Sequence, residues 1–283
     1  MTDTTEDNAI AHSLSADPLP EDDARLVRIE ATPDGVVFVT LNRPDKRNAF
    51  DAATIAALHE AFETLHGADT VRVVFVRGAG GVFCAGADLG WMRDAADWSE
   101  SDNRDDAMGL ARMLKALHDI PALTVALVEG AAMGSGAGLV AACDMAVAVK
   151  GARFAFSEVK LGLIPATIAP YVIEAVGARK ARQLFLTANA FDADYAAHVG
   201  LIDRVLPEGG IDGFVEALSG SLKANAPGAM GDSKRLVHHV ACHKLDSGLM
   251  DDTARRIARA RVSAEGQEGV RAFLDKRKPT WAV

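Results

Sequence analysis

The chain has 283 residues, 49% hydrophobic and 24% charged, a balance that excludes a wholly disordered, collagenous or disulfide-framed protein. Its 30 Lys and Arg against 39 Asp and Glu leave a net charge of -9, so the surface on balance repels phosphate backbones and nucleic acid is not the expected partner. The longest uncharged stretch near the middle, Gly130 to Cys143, is broken by glycines and ends at Asp144, short of the roughly 20 residues of a membrane span, so no membrane partner is expected.

Residues 1–24 carry Asp3, Glu6, Asp7, Asp17, Glu21, Asp22 and Asp23 but no Lys or Arg. That is the reverse of a targeting peptide, and it reads as a disordered acidic arm. Leu26 to Glu30 and Gly35 to Leu41 are β-branched runs around the turn Pro33-Asp34-Gly35, which predicts a hairpin. Ile55, Leu58, Phe62 and Leu65 then recur at helical spacing from the N-cap candidate Asp51, and a strand is predicted over Val71 to Arg77. A helix around Leu110, Met113, Leu114 and Leu117 follows, then a strand at Thr124 to Val128, a short apolar helix after Gly134, and strands near Met145 to Val149 and Arg153 to Phe156. Strands alternating with helices indicate an α/β fold. From Ala166 onward strand signals nearly vanish, and Ile211 to Leu222, Ser233 to Val240 and Leu249 to Val262 read as helices. The expected organisation is an arm over 1–24, a core over 25–210 and a helical region over 211–283.

Nucleotide signatures are absent: Gly78-Ala79-Gly80-Gly81 follows a strand but lacks the GxGxxG spacing, and no GxxxxGK[ST] occurs. Ser135 lies between Met133 and Ala137 where a serine-hydrolase elbow needs glycines. Cys84, Cys143 and Cys242 are odd in number and form no CxxC, so neither a disulfide framework nor a thiolate zinc site is expected, and a reducing cytoplasm fits. The pairs His238/Cys242 and His239/His243 stand at i,i+4 on a predicted helix but face adjoining sides without an obvious third ligand, so no metal centre is expected.

Two glycine-flanked turns are more informative, Phe83 to Leu89 and Gly130 to Gly138. The second opens a helix, whose first N–H groups lack internal partners and attract negative charge. Two such N–H groups converging on one oxygen make an oxyanion hole; the alternative is tight helix–sheet packing with no ligand. Glu158 stands in the mostly apolar run Phe154 to Val159, where desolvation raises a carboxylate toward a useful acid/base value; the alternative is a surface Glu paired with Lys160 or Arg153.

Five ordered segments, Leu41-Asn42-Arg43-Pro44-Asp45-Lys46-Arg47-Asn48-Ala49-Phe50, FCAGADLGWM, GAAMGSGAGLVAACD, FSEVKLGLIP and EGVRAFLDKRKPTW, together resemble the enoyl-CoA hydratase/isomerase (crotonase) superfamily from about Leu26 to Trp281. The resemblance implies a spiral of ββα units with a C-terminal helical oligomerisation region, assembled as a homotrimer or a dimer of trimers. It implies that the N–H groups of Ala87 and Ser135 hold a thioester oxygen. Lys46, Arg47, Ala49 and Ala85 would grip the adenosine diphosphate end of coenzyme A, and Phe273 and Lys276 would reach a coenzyme A bound at another subunit. Glu158 matches the second of two family glutamates, and Gly138 stands where the first would be.

The local strings look most like the methylglutaconyl-CoA hydratase-like branch, including hydratases of isohexenylglutaconyl-CoA. This implies hydration of a branched, carboxylated enoyl-CoA, with Gly138 leaving volume for the acyl group. A single Glu also suits a Δ3,Δ2-enoyl-CoA isomerase. Asp94 and Glu129 are candidates to replace the missing glutamate. The expected partner is an acyl-CoA thioester, with coenzyme A entering as part of the substrate and no separate cofactor. A CoA- or RNA-binding scaffold is the non-enzymatic reading, disfavoured by the net charge and by Glu158.

Overall fold

A computed structural model describes residues 25–282, so the acidic arm expected over 1–24 lies outside the described residues. Strands β1 (Val27–Ala31) and β2 (Val36–Leu41) form the predicted antiparallel hairpin, Val27 opposite Leu41. Gly35 turns the chain at φ 83, where a Cβ would lie 2.3 Å from the Thr70 carbonyl oxygen. Helix α1 (Ala52–His66) starts at Asp51, whose side chain accepts from the Thr54 N–H. It buries Ile55, Leu58, Phe62 and Leu65, the stripe that the spacing predicts.

Strand β3 (Val73–Gly78), helices α2 (Leu89–Ala95) and α3 (Glu100–Asp119), and strands β4 (Leu123–Val128) and β5 (Ala131–Met133) follow. Next come helix α4 (Ser135–Ala142) and strands β6 (Met145–Val149) and β7 (Arg153–Ala155). Helices α5 (Ala169–Thr187) and α6 (Ala193–Val199) flank β8 (Phe191–Asp192), and β9 (Arg204–Leu206) precedes α7 (Ile211–Leu222), α8 (Pro227–Ala241), α9 (Ser247–Val262) and α10 (Ala264–Leu274). The main sheet has the order β1-β2-β3-β4-β6-β9, parallel from β2 onward, and a smaller sheet has the order β5-β7-β8.

Strand signals nearly vanish after Ala166, yet β8 and β9 form there. They are two and three residues long, too short to show a period. Tertiary bonds hold β9 instead: Asp203 donates its N–H to the Ala146 oxygen (2.7 Å) and accepts the Ala146 N–H on its side chain (2.8 Å).

Both faces of the main sheet are covered, which is why its strands read as unbroken apolar runs. Val74, Val76, Ala126 and Val128 pack toward α1, α3 and α4, while the alternate residues Val73, Phe75, Val125 and Leu127 pack toward Phe214, Val215, Leu218 and Leu222 of α7. Because β2, β3 and β4 run in parallel, the loops leaving their C-terminal ends gather on one edge, where α/β sheets bind ligands. Among the described residues, no helix is long and apolar enough to cross a membrane.

Candidate active site

Three loops at that edge are joined like a short extra sheet. Asn48, fully buried and at φ 56, donates from Nδ2 to the carbonyl oxygens of Ala79 (2.9 Å) and Val82 (2.6 Å) and accepts from the Arg43 N–H (2.8 Å). It pins the loop after β2 to the loop after β3. Phe50 then donates to Gly86 and accepts from Asp88, both at 2.7 Å, and Ala85 donates to Arg47 (3.0 Å). On the other side Cys84 donates to Ala131 and accepts from Met133, both at 2.9 Å.

This lattice engages the backbone on both sides of Ala87, yet among the described residues the Ala87 N–H itself donates to no protein acceptor. Gly134, at φ 50 and ψ -118, donates to Ala155 (2.8 Å) and turns the chain into α4, whose first residue is Ser135. As the first helical residue, Ser135 has an N–H with no intrahelical acceptor. Small residues let the two turns meet. A Cβ on Gly86, at φ 93, would lie 3.0 Å from the Met133 oxygen, and one on Gly136 would lie 2.7 Å from Cβ of Cys84. The structure therefore brings both proposed oxyanion donors onto abutting turns and, among the described residues, gives neither a protein acceptor.

Glu158 opens a 3-10 turn (Glu158–Leu161) after β7, and its Oε1 lies 3.2 Å from where a Cβ on Gly134 would stand. The carboxylate thus sits over the glycine that leads into Ser135. Its Oε2 is buried without a hydrogen-bond partner, as is the Ser135 Oγ. Burial holds the Glu158 carboxyl above the ordinary carboxylate range, opposed by a hydrogen bond with its own backbone. Among the described residues no ion pair joins it to Lys160 or Arg153, so the surface-pair alternative fails. A half-buried carboxylate with a free oxygen, beside two free N–H groups, can move a proton while an oxyanion forms.

The reading of Gly138 needs correction. A Cβ there would lie 2.2 Å from Cγ2 and 2.6 Å from Cβ of Ile168, a residue only 2% exposed. The volume is filled by Ile168, and the glycine serves close packing between α4 and the start of α5. Asp94 and Glu129 do not replace the missing carboxylate: both are exposed, and among the described residues neither interacts with Glu158.

Arg43 was not singled out by sequence reasoning. Its guanidinium donates to the Ala49 oxygen (2.6 Å) and meets Asp51 at 2.9 Å and Asp88 at 3.4 Å, so it ties the cap of α1 to the cap of α2. Asp88, which follows Ala87, is held below the usual carboxylate range, first by the Gly90 N–H and further by the Trp91 N–H and Arg43. Its partner lies 45 residues away, which no local pattern discloses. Arg43→Ala leaves the Ala49 oxygen and two half-buried carboxylates short of a donor, at a cost of about 1–3 kcal/mol. The expected result is a lower melting temperature together with a fall in kcat, read by thermal denaturation and steady-state kinetics.

Lys46 and Arg47 are exposed on the pinned loop, and Ala49 and Ala85 lie beneath them, so these four are brought together. Phe273 and Lys276 are not. They sit at the end of α10, Phe273 is 83% exposed, and among the described residues no hydrogen bond or ion pair links either to the loops around Lys46 or Ala87.

Residues 31–283 match the family model described as enoyl-CoA hydratase/isomerase. The fold is similar to an enoyl-CoA hydratase from Shewanella pealeana, with 39% identity, a TM-score of 0.87, and coverage of 91% of this chain and 96% of the other. It is similar also to Pseudomonas aeruginosa AtuE, with 36% identity, a TM-score of 0.88, and coverage of 92% and 100%. Among curated relatives, a 1,2-epoxyphenylacetyl-CoA isomerase from Escherichia coli is 32% identical over 251 residues, 87% of this chain and 94% of the relative.

Proposed function

The chain belongs to the enoyl-CoA hydratase/isomerase family, and from that membership we propose that it adds water across the C2=C3 bond of a branched, carboxylated 2-enoyl-CoA resembling 3-methylglutaconyl-CoA. The observation that carries the reading is the buried, unpartnered Oε2 of Glu158 beside the free N–H of Ser135. Glu158 takes a proton from water as its oxygen bonds to C3. The electron pair of the double bond moves onto the thioester oxygen, and the N–H groups of Ala87 and Ser135 stabilise the enolate, a role in which each donor is worth about 3–4 kcal/mol. Glu158 then returns the proton to C2. The pair of the new C3–O bond comes from water and the proton returns to C2, so the addition is redox-neutral and needs no redox group, and coenzyme A enters with the substrate.

The acyl class rests on the local likeness of FCAGADLGWM and SEVKLGLIP to methylglutaconyl-CoA hydratases, together with the exposed apolar side chains of Leu89 after the first turn and of Leu161 and Ile164 after Glu158. One observation favours a second reading. With Ile168 over Gly138, Glu158 stands alone, and one base suffices to carry a proton from C2 to C4 in a Δ3,Δ2-enoyl-CoA isomerase. A panel of 2-enoyl, 3-enoyl and 3-methylglutaconyl thioesters, with products identified by NMR, decides between them. A 3-hydroxyacyl product from the methylglutaconyl ester supports the hydratase, and double-bond migration without hydration overturns it.

Assembly as a trimer or dimer of trimers belongs to the same proposal, as does a cytoplasmic location, which the three free cysteines suit. Val262, Val270, Phe273 and Leu274 leave an apolar surface on α9 and α10 that one chain does not cover. Light scattering at micromolar concentration should give three or six chain masses, and a stable monomer contradicts this.

A further inference from the structure

His118, in the last turn of α3, and His238, in the last turn of α8, come from segments 120 residues apart and lie face to face, with ring centroids 4.2 Å apart and planes within 6°. Asp119 completes a group whose ligand atoms all fall within 4.8 Å of one another. The sequence expectation of no third ligand took the helix of His238 alone. The chain supplies the others across the fold.

The surroundings suit a cation better than a hydrophobic contact. Both rings line a cavity of about 260 Å³ that also holds Glu174, Asp144 and Asp203. Tyr171 packs edge-on against His118 at 5.4 Å. The opposing charges are modest: Lys234 acts on His118 from α8 but is engaged with Asp144 at 2.7 Å, and the Asp119 carboxylate is paired with Lys115 on the exposed side.

We propose that His118, His238 and Asp119 form a binding site for a divalent transition ion of the zinc type, separate from the acyl-CoA site, that clamps α8 onto the end of α3. Two imidazoles and a carboxylate are a set that zinc accepts, with nitrogen and oxygen donors at about 2.0–2.2 Å and the fourth position left to water. Because imidazole lone pairs lie in the ring plane and the two planes are parallel, at least one ring must turn out of the stack for both nitrogens to reach one ion. The cavity, which Glu174 also lines, leaves room for that water.

The test uses the full chain, freed of metal by chelation and titrated with Zn²⁺ at neutral pH in a calorimeter. One ion should bind per chain, and at a hundredfold excess over Kd the melting temperature should rise by about 5 °C. His118→Ala and His238→Ala should each weaken binding at least about a hundredfold, whereas the double variant His239→Ala/His243→Ala, which removes the neighbouring histidine pair, should bind as the wild type does. Nitrogen-15 spectra of the wild type give a readout independent of variant folding, because Zn²⁺ should shift the ring nitrogens of His118 and His238 and spare those of His239 and His243. The absence of saturable binding, binding that survives both single variants, or ring shifts confined to the 239/243 pair would overturn the proposal.

Discussion

Glu158→Gln lowers kcat at least about a hundredfold while thioester binding changes little, because the amide keeps the shape of the side chain and loses the ability to carry a proton. The same substitution leaves the protein at least as stable as the wild type. Burial raises the Glu158 carboxyl above its unfolded value, so the native state holds the proton more tightly than the unfolded chain does. The stability this confers at low pH is lost as pH rises through the raised native value, and at neutral pH the chain carries a poorly solvated charge that glutamine removes. A loss of turnover with an unchanged or higher melting temperature separates a chemical role from a structural one. The pH profile adds a check. The wild-type kcat should fall on the acid side with a midpoint above the usual carboxylate range, and the residual activity of the variant should lack that limb. Near wild-type turnover by the variant on any thioester that the wild type converts removes Glu158 from the mechanism.

The elements legible in the sequence are those whose information is local. The hairpin turn at Gly35, the Asp51 cap and the stripe from Ile55 to Leu65 each rest on residues a few positions apart, and the structure places them as the spacing predicts. The two turns proposed to hold the thioester oxygen were legible as glycine patterns, because close backbone approach demands small residues whatever the partner. Three features escaped for one shared reason, that their causes are tertiary. Strand β9 exists because Asp203 reaches Ala146, Arg43 matters because Asp88 folds back onto it, and His118 meets His238 only after the helices pack. Gly138 shows the limit from the other side. A glycine announces that something comes close but not what: the resemblance pointed to volume for the acyl group, and the structure places Ile168 there instead.

That contact turns the glycine into a measurable lock. In Gly138→Glu the new Cβ meets Ile168 at 2.2 and 2.6 Å, at branch atoms next to the backbone rather than at a flexible tip, so the start of α5 must shift. Overpacking of this kind costs about 1–3 kcal/mol. A carboxylate introduced among Ala137, Leu139 and Ile168 adds the cost of a poorly solvated charge. The single variant should therefore melt at least about 5 °C lower, or fail to fold. Ile168→Gly in the same chain removes both offending atoms at the residue preceding α5, a capping position where glycine is tolerated, so the double variant should recover stability relative to Gly138→Glu alone. The double variant then presents a second carboxylate on α4, and its charge near Glu158 raises the pKa of one of the pair. That arrangement suits a small neutral ester and repels an anionic acyl tail, so kcat/KM for crotonyl-CoA relative to 3-methylglutaconyl-CoA should rise in the double variant. A Gly138→Glu protein as stable as the wild type, or a double variant no more stable than the single one, shows that Ile168 is not what holds position 138 to glycine.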